Sequence, residues 1–135
     1  MFSETTEKPL ELINTAFYAP LKGLISDSFD PQNKHFGVDV LAAENEAIKA
    51  SLGGTVVFSD WTTETGYSIA IQHDNNLISF YKHNSVLLKK PGELVKAGDV
   101  IAIIGNSGEF SSGPHLHFEM WHKGKAIDPE HRILF

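Results

Sequence analysis

From residue 47 onward, apolar and polar positions alternate in short runs separated by turn-forming residues, the two-residue period of β-strands. Residues 47–50 and 55–58 flank Gly53-Gly54. Tyr67, Ile69 and Ile71 alternate with Ser68, Ala70 and Gln72, and Asp74-Asn75-Asn76 supplies a turn ahead of residues 77–83. This pattern predicts a hairpin meander. Pro91-Gly92 and Ala97-Gly98-Asp99 punctuate the next piece, and the unbroken apolar run 100–104 fits a strand buried on both faces. Residues 105–114 read as a long turn into a strand that begins at His115. Trp121, Gly124 and Ile127 then mark a last hairpin ending near Pro129. Upstream, Leu10, Ile13 and Phe17 recur at i, i+3, i+7 and predict a short helix over 10–17, followed by an extended entry over 17–23. Residues 26–34 are turn-rich, and Asp30-Pro31 disfavours helix. The fold class predicted is all-β, a compact antiparallel sheet or sandwich with little helix. At 135 residues the chain is long enough for one self-sufficient core. We expect a lead-in over 1–19, the trimmed end of a longer chain, and a domain over 20–135.

Chemistry concentrates where turns open onto strands. In Gly113-Pro114-His115-Leu116-His117-Phe118-Glu119 the two imidazoles project from one face of a strand, about 6.6 Å apart, while Leu116 and Phe118 point to the other. Such a strand presents a metal ligand beside a second working base. The preceding Ser-Ser-Gly-Pro places the pair near a rim. In His35-Phe36-Gly37-Val38-Asp39 the imidazole and carboxylate would stack at i, i+4 on a helix, but Gly37 between β-branched and aromatic neighbours argues for an extended or bent strand, where positions 35, 37 and 39 share a face and Gly37 leaves open space between them. Either conformation brings them together. His83 closes an alternating strand on the face of Leu77, Ser79 and Tyr81, at a strand end that can reach into a cleft.

Hydrolytic zinc sites use three protein ligands and leave one position for water. His35, Asp39 and one of His115 or His117 make such a set, leaving the other histidine as a nearby base. Glu119 shares the face of the two histidines, where it either orients one of them as a hydrogen-bond acceptor or is simply solvated. Tyr67 and Tyr81 fit a groove lining or the core. Trp61 and Trp121 fit packing or a groove rim equally. His73 reads as a hairpin cap, and His122 and His131 as solvated residues of a charged tail.

A formal charge of −6, with scattered Lys and Arg, leaves no footprint for nucleic acid or anionic lipid. The absence of cysteine excludes disulfides, thiolate ligands and a cysteine nucleophile. No apolar run approaches the ~18 residues of a membrane segment.

His35-Phe36-Gly37-Val38-Asp39, Tyr81-Lys82-His83 and Ser112-Gly113-Pro114-His115-Leu116-His117-Phe118-Glu119, in this order, resemble the three signature blocks of the lysostaphin-type (LytM-like) zinc metallopeptidases. The similarity runs from about Pro20 to Pro129 and includes the Gly-rich strand before Thr55 and the Val95-Lys96-Ala97-Gly98-Asp99 turn. The resemblance implies the β-rich duplicated hybrid fold of that family and one Zn2+ ion. It implies an extracytoplasmic setting and cleavage of peptide bonds in peptidoglycan stem peptides or cross-links. Carried over by position, His35, Asp39 and His117 are the zinc ligands and His83 and His115 the catalytic pair; which of the pair acts as base is left open. Two departures bear on substrate preference: Gly66-Tyr67-Ser68-Ile69 where the family often has Gly-Tyr-Gly-Asn, and Tyr81-Lys82-His83-Asn84 where it often has Tyr-x-His-Leu. The alternative is a non-catalytic LytM-like module that regulates another wall hydrolase. Relatives of that kind are expected to have lost ligands, and none is missing here. Residues 92–105 also resemble half of a biotinyl- or lipoyl-carrier domain, but no lysine stands near Asn106-Ser107-Gly108 to carry the cofactor.

Overall fold

In the computed structural model, which describes residues 15–105 and 113–135, the two-residue apolar period becomes ten strands: β1 (Leu24–Asp27), β2 (Val38–Leu41), β3 (Ala47–Lys49), β4 (Gly54–Thr62), β5 (Gly66–Gln72), β6 (Leu77–Leu87), β7 (Leu94–Val95), β8 (Val100–Ile104), β9 (His115–His122) and β10 (Lys125–Ile127). Two single 3-10 turns, Pro31–Asn33 and Pro129–His131, are the helical content of the described residues. The fold is all-β with antiparallel pairing, as the alternation predicts. Strand order is β1-β2-β9-β6-β5-β4-β7, with β10 on β9 and β8 between β3 and β6. The expected meander is β4-β5-β6, and the expected last hairpin is β9-β10.

The eleven-residue β6 ties the layers together. Its first half, Leu77 to Lys82, pairs with β9, whereas Asn84 to Leu87 pair with β8. Inward-facing positions of both parts fill one core: Val38 and Val40 of β2, Ile69 and Ile71 of β5, Leu77 and Tyr81 of β6, Ile101 and Ile104 of β8, and Leu116, Phe118 and Met120 of β9. Because Leu116, Phe118 and Met120 are all buried, the pleat turns His115, His117, Glu119 and Trp121 to the opposite face. β8 is less enclosed than its unbroken apolar run predicts. Val100 is exposed and Ile103 half-buried, although β8 is paired on both edges, with β3 and β6.

Residues 10–14 of the predicted helix lie outside the described residues, and 15–19 are not helical. Phe17 and Ala19 pack against the core, and the Tyr18 N–H donates to the Ser51 carbonyl at 2.8 Å.

Tyr81 belongs to the core and lines no groove: it is fully buried, because its position on β6 is the same-face successor of Leu77 and Ser79. Its hydroxyl accepts the Ser51 N–H at 2.9 Å and shares hydrogen bonds with the hydroxyls of Ser51 (3.1 Å) and Ser79 (2.8 Å). His73 extends this chain rather than capping a hairpin at the surface. It is buried, with Nδ1 donating to the Gly53 carbonyl at 2.8 Å and Nε2 2.7 Å from Ser79 Oγ. Burial outweighs the Gly53 hydrogen bond and the nearby Asp74 charge and pushes the His73 pKa below its ordinary value of 6.5.

Two outcomes follow for stability. Tyr81→Phe strands the Ser51 N–H in the core and should cost about 1–3 kcal/mol in urea denaturation. The folded state binds His73's proton less readily than the unfolded chain, so its contribution is complete above pH 6.5 and is lost as pH falls through the lower folded value. The Tm of the parent should therefore drop on acidification below pH 6.5 more steeply than that of His73→Asn.

Candidate metal and catalytic site

The register of β2 against β9 pairs Asp39 with His117, Leu41 with His115 and Val38 with Phe118. Directly opposed residues of an antiparallel pair share a face, and Asp39 Oδ1 lies 2.7 Å from His117 Nδ1. His35 reaches them from a loop. Residues 35–39 are neither a helix nor one continuous strand: His35 forms an isolated bridge with Asp30, Lys34 takes a left-handed φ of 61°, and β2 begins only at Val38. Nor does Gly37 leave open space between the two groups. A Cβ there would lie 2.3 Å from the Phe118 carbonyl oxygen and 2.7 Å from Glu119 Cγ, so the bare glycine lets β9 approach closely. His35 Nδ1 donates to the Ser28 carbonyl at 2.7 Å. That bond aims Nε2 at Asp39 Oδ2 (3.3 Å) and Asp27 Oδ2 (3.6 Å).

His83 reaches the site through a break in the alternation. Strict period two would set it on the core face with Tyr81. Instead, Tyr67 and Ile69 of β5 are two residues apart while their partners Asn84 and Tyr81 are three apart, so β6 carries one extra residue, a β-bulge. His83 adopts φ 71° and its N–H donates to the Thr65 carbonyl at 3.0 Å. Its ring turns to the outer face, with centroids 5.2 Å from His115 and 6.2 Å from His117. The Asn84 amide spans the bulge, donating to the carbonyls of Tyr67 (3.0 Å) and Tyr81 (2.9 Å).

Glu119 is an acceptor rather than a solvated carboxylate. It is 8% exposed and receives His117 Nε2 at 2.7 Å, Trp121 Nε1 at 2.8 Å and Lys82 Nζ at 3.2 Å. Burial works to raise its pKa, but the bonds from His117 and Trp121 and the Lys82 charge bring it down to about 2. Burial likewise opposes charge on His117, yet the bonds to Asp39 and Glu119 lift it to about 9. Asp39, despite burial, is held below the usual carboxylate range by the His117 hydrogen bond and charge, then by His35 and His115. His83 moves the other way: burial first, then the neighbouring His115 and His117, push it down to about 4.

His35, Asp39 and His117 each offer one donor atom, all within 4.8 Å of one another. This set fits a tetrahedral zinc ion. The 3.3 Å between His35 Nε2 and Asp39 Oδ2 matches the edge of about 3.4 Å that ligand distances of ~2.0–2.1 Å imply. The far ring nitrogens of both histidines are tied to the Ser28 carbonyl and the Glu119 carboxylate, which selects the tautomers a cation requires. The positive charge that His117 carries between two carboxylates is the charge such an ion would replace.

The chain matches Peptidase family M23 over residues 33–129. It belongs to that family. It is 32% identical over 130 residues to murein hydrolase activator NlpD of Salmonella dublin, covering 94% of this chain and 33% of that protein. Among solved structures, a zinc-containing peptidase from Vibrio cholerae aligns with a TM-score of 0.77 at 28% identity, over 84% of this chain and 39% of that one. Lysostaphin from Staphylococcus simulans aligns with a TM-score of 0.68 at 30% identity, over 81% and 47%. The lysostaphin-type resemblance of the three sequence blocks thus extends to the whole fold. The chain spans about a third of the length of the curated relatives it matches.

The structure brings together His35, Asp39, His83, His115, His117 and Glu119. It leaves out Tyr81, in the core; Tyr67 is exposed, opposite Trp61 on the β4-β5 hairpin and paired on its other side with Asn84, next to His83. His122 is not a solvated tail residue, since its Nε2 is buried on a strand between β6 and β10; His131 is solvated, with 79% of its side chain exposed. Ser112 of the third block lies outside the described residues. Sequence reasoning passed over Lys82 and left Trp121 undecided, although both bond Glu119. Alternation puts Lys82 one face away from Tyr81, but only the β6-β9 register sets it opposite His117.

Glu119→Ala frees the His117 ring while leaving all three donors in place. Zinc affinity, read by competition with a chromophoric chelator, should fall by about 10–100-fold.

Proposed function

We propose that this M23 domain is a zinc-dependent endopeptidase that hydrolyses peptide bonds in peptidoglycan stem peptides or cross-links. The observation that carries this reading is the convergence of five side chains with none missing: a three-donor set within 4.8 Å, and two further histidines whose rings lie 5.2 Å apart on its flank. In this reading His35, Asp39 and His117 hold the ion. Zinc bound there supplies Lewis acidity, activating water near neutral pH and polarising the scissile carbonyl. His83 and His115 lie outside the donor set, within reach of the same space. One accepts the proton of the attacking water, and the other stabilises the oxyanion or passes the proton to the leaving amine. Glu119 keeps the His117 ring oriented. We place the domain outside the cytoplasm, where its substrate lies; the similarity to a murein hydrolase activator and to an outer membrane antigenic lipoprotein B of Haemophilus influenzae supports this setting.

That same similarity favours a second reading, a module that activates another murein hydrolase without cleaving bonds itself. The two part on chemistry. A peptidase binds one zinc ion per chain, releases new amino termini from purified peptidoglycan, loses that activity on dialysis against a strong chelator and regains it with zinc. A module that binds no zinc at neutral pH, or that stimulates a partner hydrolase while cleaving nothing, would overturn the peptidase reading. His115→Ala should retain zinc but lower cleavage of defined muropeptides, followed by mass spectrometry, by about 10²–10⁴-fold.

A further inference from the structure

On the side of the core away from the metal donors, β3, β8 and the second half of β6 form a small layer. Its inner positions Ile48, Ala102 and Ile104 belong to the core, and Leu87 packs against it. Pairing sets Ala47, Ile103 and Val86 in one row across the three strands, and Lys49 opposite Val100. These are the outward positions, and Leu88 continues them two residues beyond Val86. Val86 is 45%, Leu88 48% and Val100 39% exposed, with Ile103 and Ala47 half-buried.

An antiparallel layer with one face in solvent alternates apolar and polar positions, and this layer does not. The run 100–104 has the pattern of a strand buried on both faces, yet the fold encloses one face and leaves Val100 and Ile103 on the other. A contiguous aliphatic face of this kind marks an interaction surface. Its width selects the partner's shape: three strands ~4.8 Å apart set β3 and β6 about 10 Å apart, the breadth of one α-helix. Its charge selects the partner's sign. Lys49 stands in the face, and Lys89 and Lys90 follow Leu88 at the same end of the layer. None of the three forms an ion pair among the described residues. The carboxylates of the adjoining turns are held by backbone, Glu93 accepting the Lys90 N–H and Asp99 the Lys96 N–H, each at 2.8 Å; Glu44 and Glu46 lie at the other end, ahead of Ala47. No aromatic side chain stands in the face to anchor it at a lipid interface.

We infer that the outer face of the small layer docks an amphipathic α-helix of a partner protein, its aliphatic stripe on Val86, Leu88, Val100 and Ile103 and its acidic flank against Lys49, Lys89 and Lys90. The core stands between this face and the metal donors, so a partner seated here leaves the metal site open. The surface is therefore independent of whether the domain cleaves peptidoglycan or activates another hydrolase.

The test titrates the full chain against a labelled helical peptide of about 14 residues, read by fluorescence anisotropy. Its stripe is Leu and Ile, and its flank is Glu in one version and Lys in the other. The Glu peptide should bind, less tightly as salt rises. Leu88→Ser should lower that affinity about tenfold while Tm and zinc binding stay as in the parent. Lys49→Glu should weaken the Glu peptide and strengthen the Lys peptide, a reversal that a merely apolar contact would not show. Failure of the Glu peptide to bind, equal binding of the two peptides, or binding untouched by Leu88→Ser would sink the assignment. Three other occupants would overturn it as well: a concentration-dependent dimer in light scattering that Leu88→Ser abolishes, sedimentation with phosphatidylglycerol vesicles that Leu88→Ser abolishes, or a gain in peptide affinity in Leu10→Asp, which would give the face to residues 1–14.

Discussion

Asp39 and His117 meet because β2 and β9 pair in one register, and apolar burial holds that register. Val38 and Val40 on one strand and Leu116, Phe118 and Met120 on the other are fully buried, each large side chain contributing about 1.5–3 kcal/mol. The ion pairs they bring together are mostly buried, with 23% of the Asp39 and 13% of the His117 side chain exposed, so the cost of desolvating them offsets much of their attraction. The core therefore positions the site, and the site does little to position the core. A slip of one residue would send the valines outward and separate the donors.

The second constraint is local and steric. β6 changes partner from β9 to β8 between Lys82 and Asn84, and the extra residue needed for that change is His83. A β-branched or bulky residue at φ 71° would be strained there, whereas histidine is among the types that tolerate the left-handed region. Gly105 lets the neighbouring chain close over the bulge: a Cβ there would meet the His83 carbonyl oxygen at 2.4 Å and Asn84 C at 2.7 Å. The Asn84 amide bonds fasten it from the other side. The bulge that lets one strand serve two layers is thus the device that delivers a histidine to the outer face.

Placed within 6.2 Å of each other, His117 and His83 are driven in opposite directions. Both are desolvated, but His117 lies between two carboxylates and rises to about 9, while His83 faces other imidazoles and falls to about 4. One position is built to hold positive charge between anions. Its neighbour is built to stay neutral.

The sequence by itself determined the class of fold and the residues of the candidate site. Period-two alternation, turn chemistry and the clustered histidines are local properties, so β4-β5-β6, β9-β10 and the His35, Asp39, His115, His117 set were legible without coordinates. Glu119 was legible only as one of two options, because its three hydrogen-bond donors come from β6 and β9 together. What tertiary structure alone decided are matters of register and approach between distant segments. Alternation sent His83 to the wrong face because a bulge depends on what the strand pairs with. Gly37 read as a gap because nothing local reveals that β9 fills it, and Tyr81 stayed open between groove lining and core because the strands that cover it lie elsewhere in the chain. Lys82 and Trp121 joined the site only when pairing set β6 beside β9, since side chains from separate strands share a surface through long-range hydrogen bonding that no local pattern encodes.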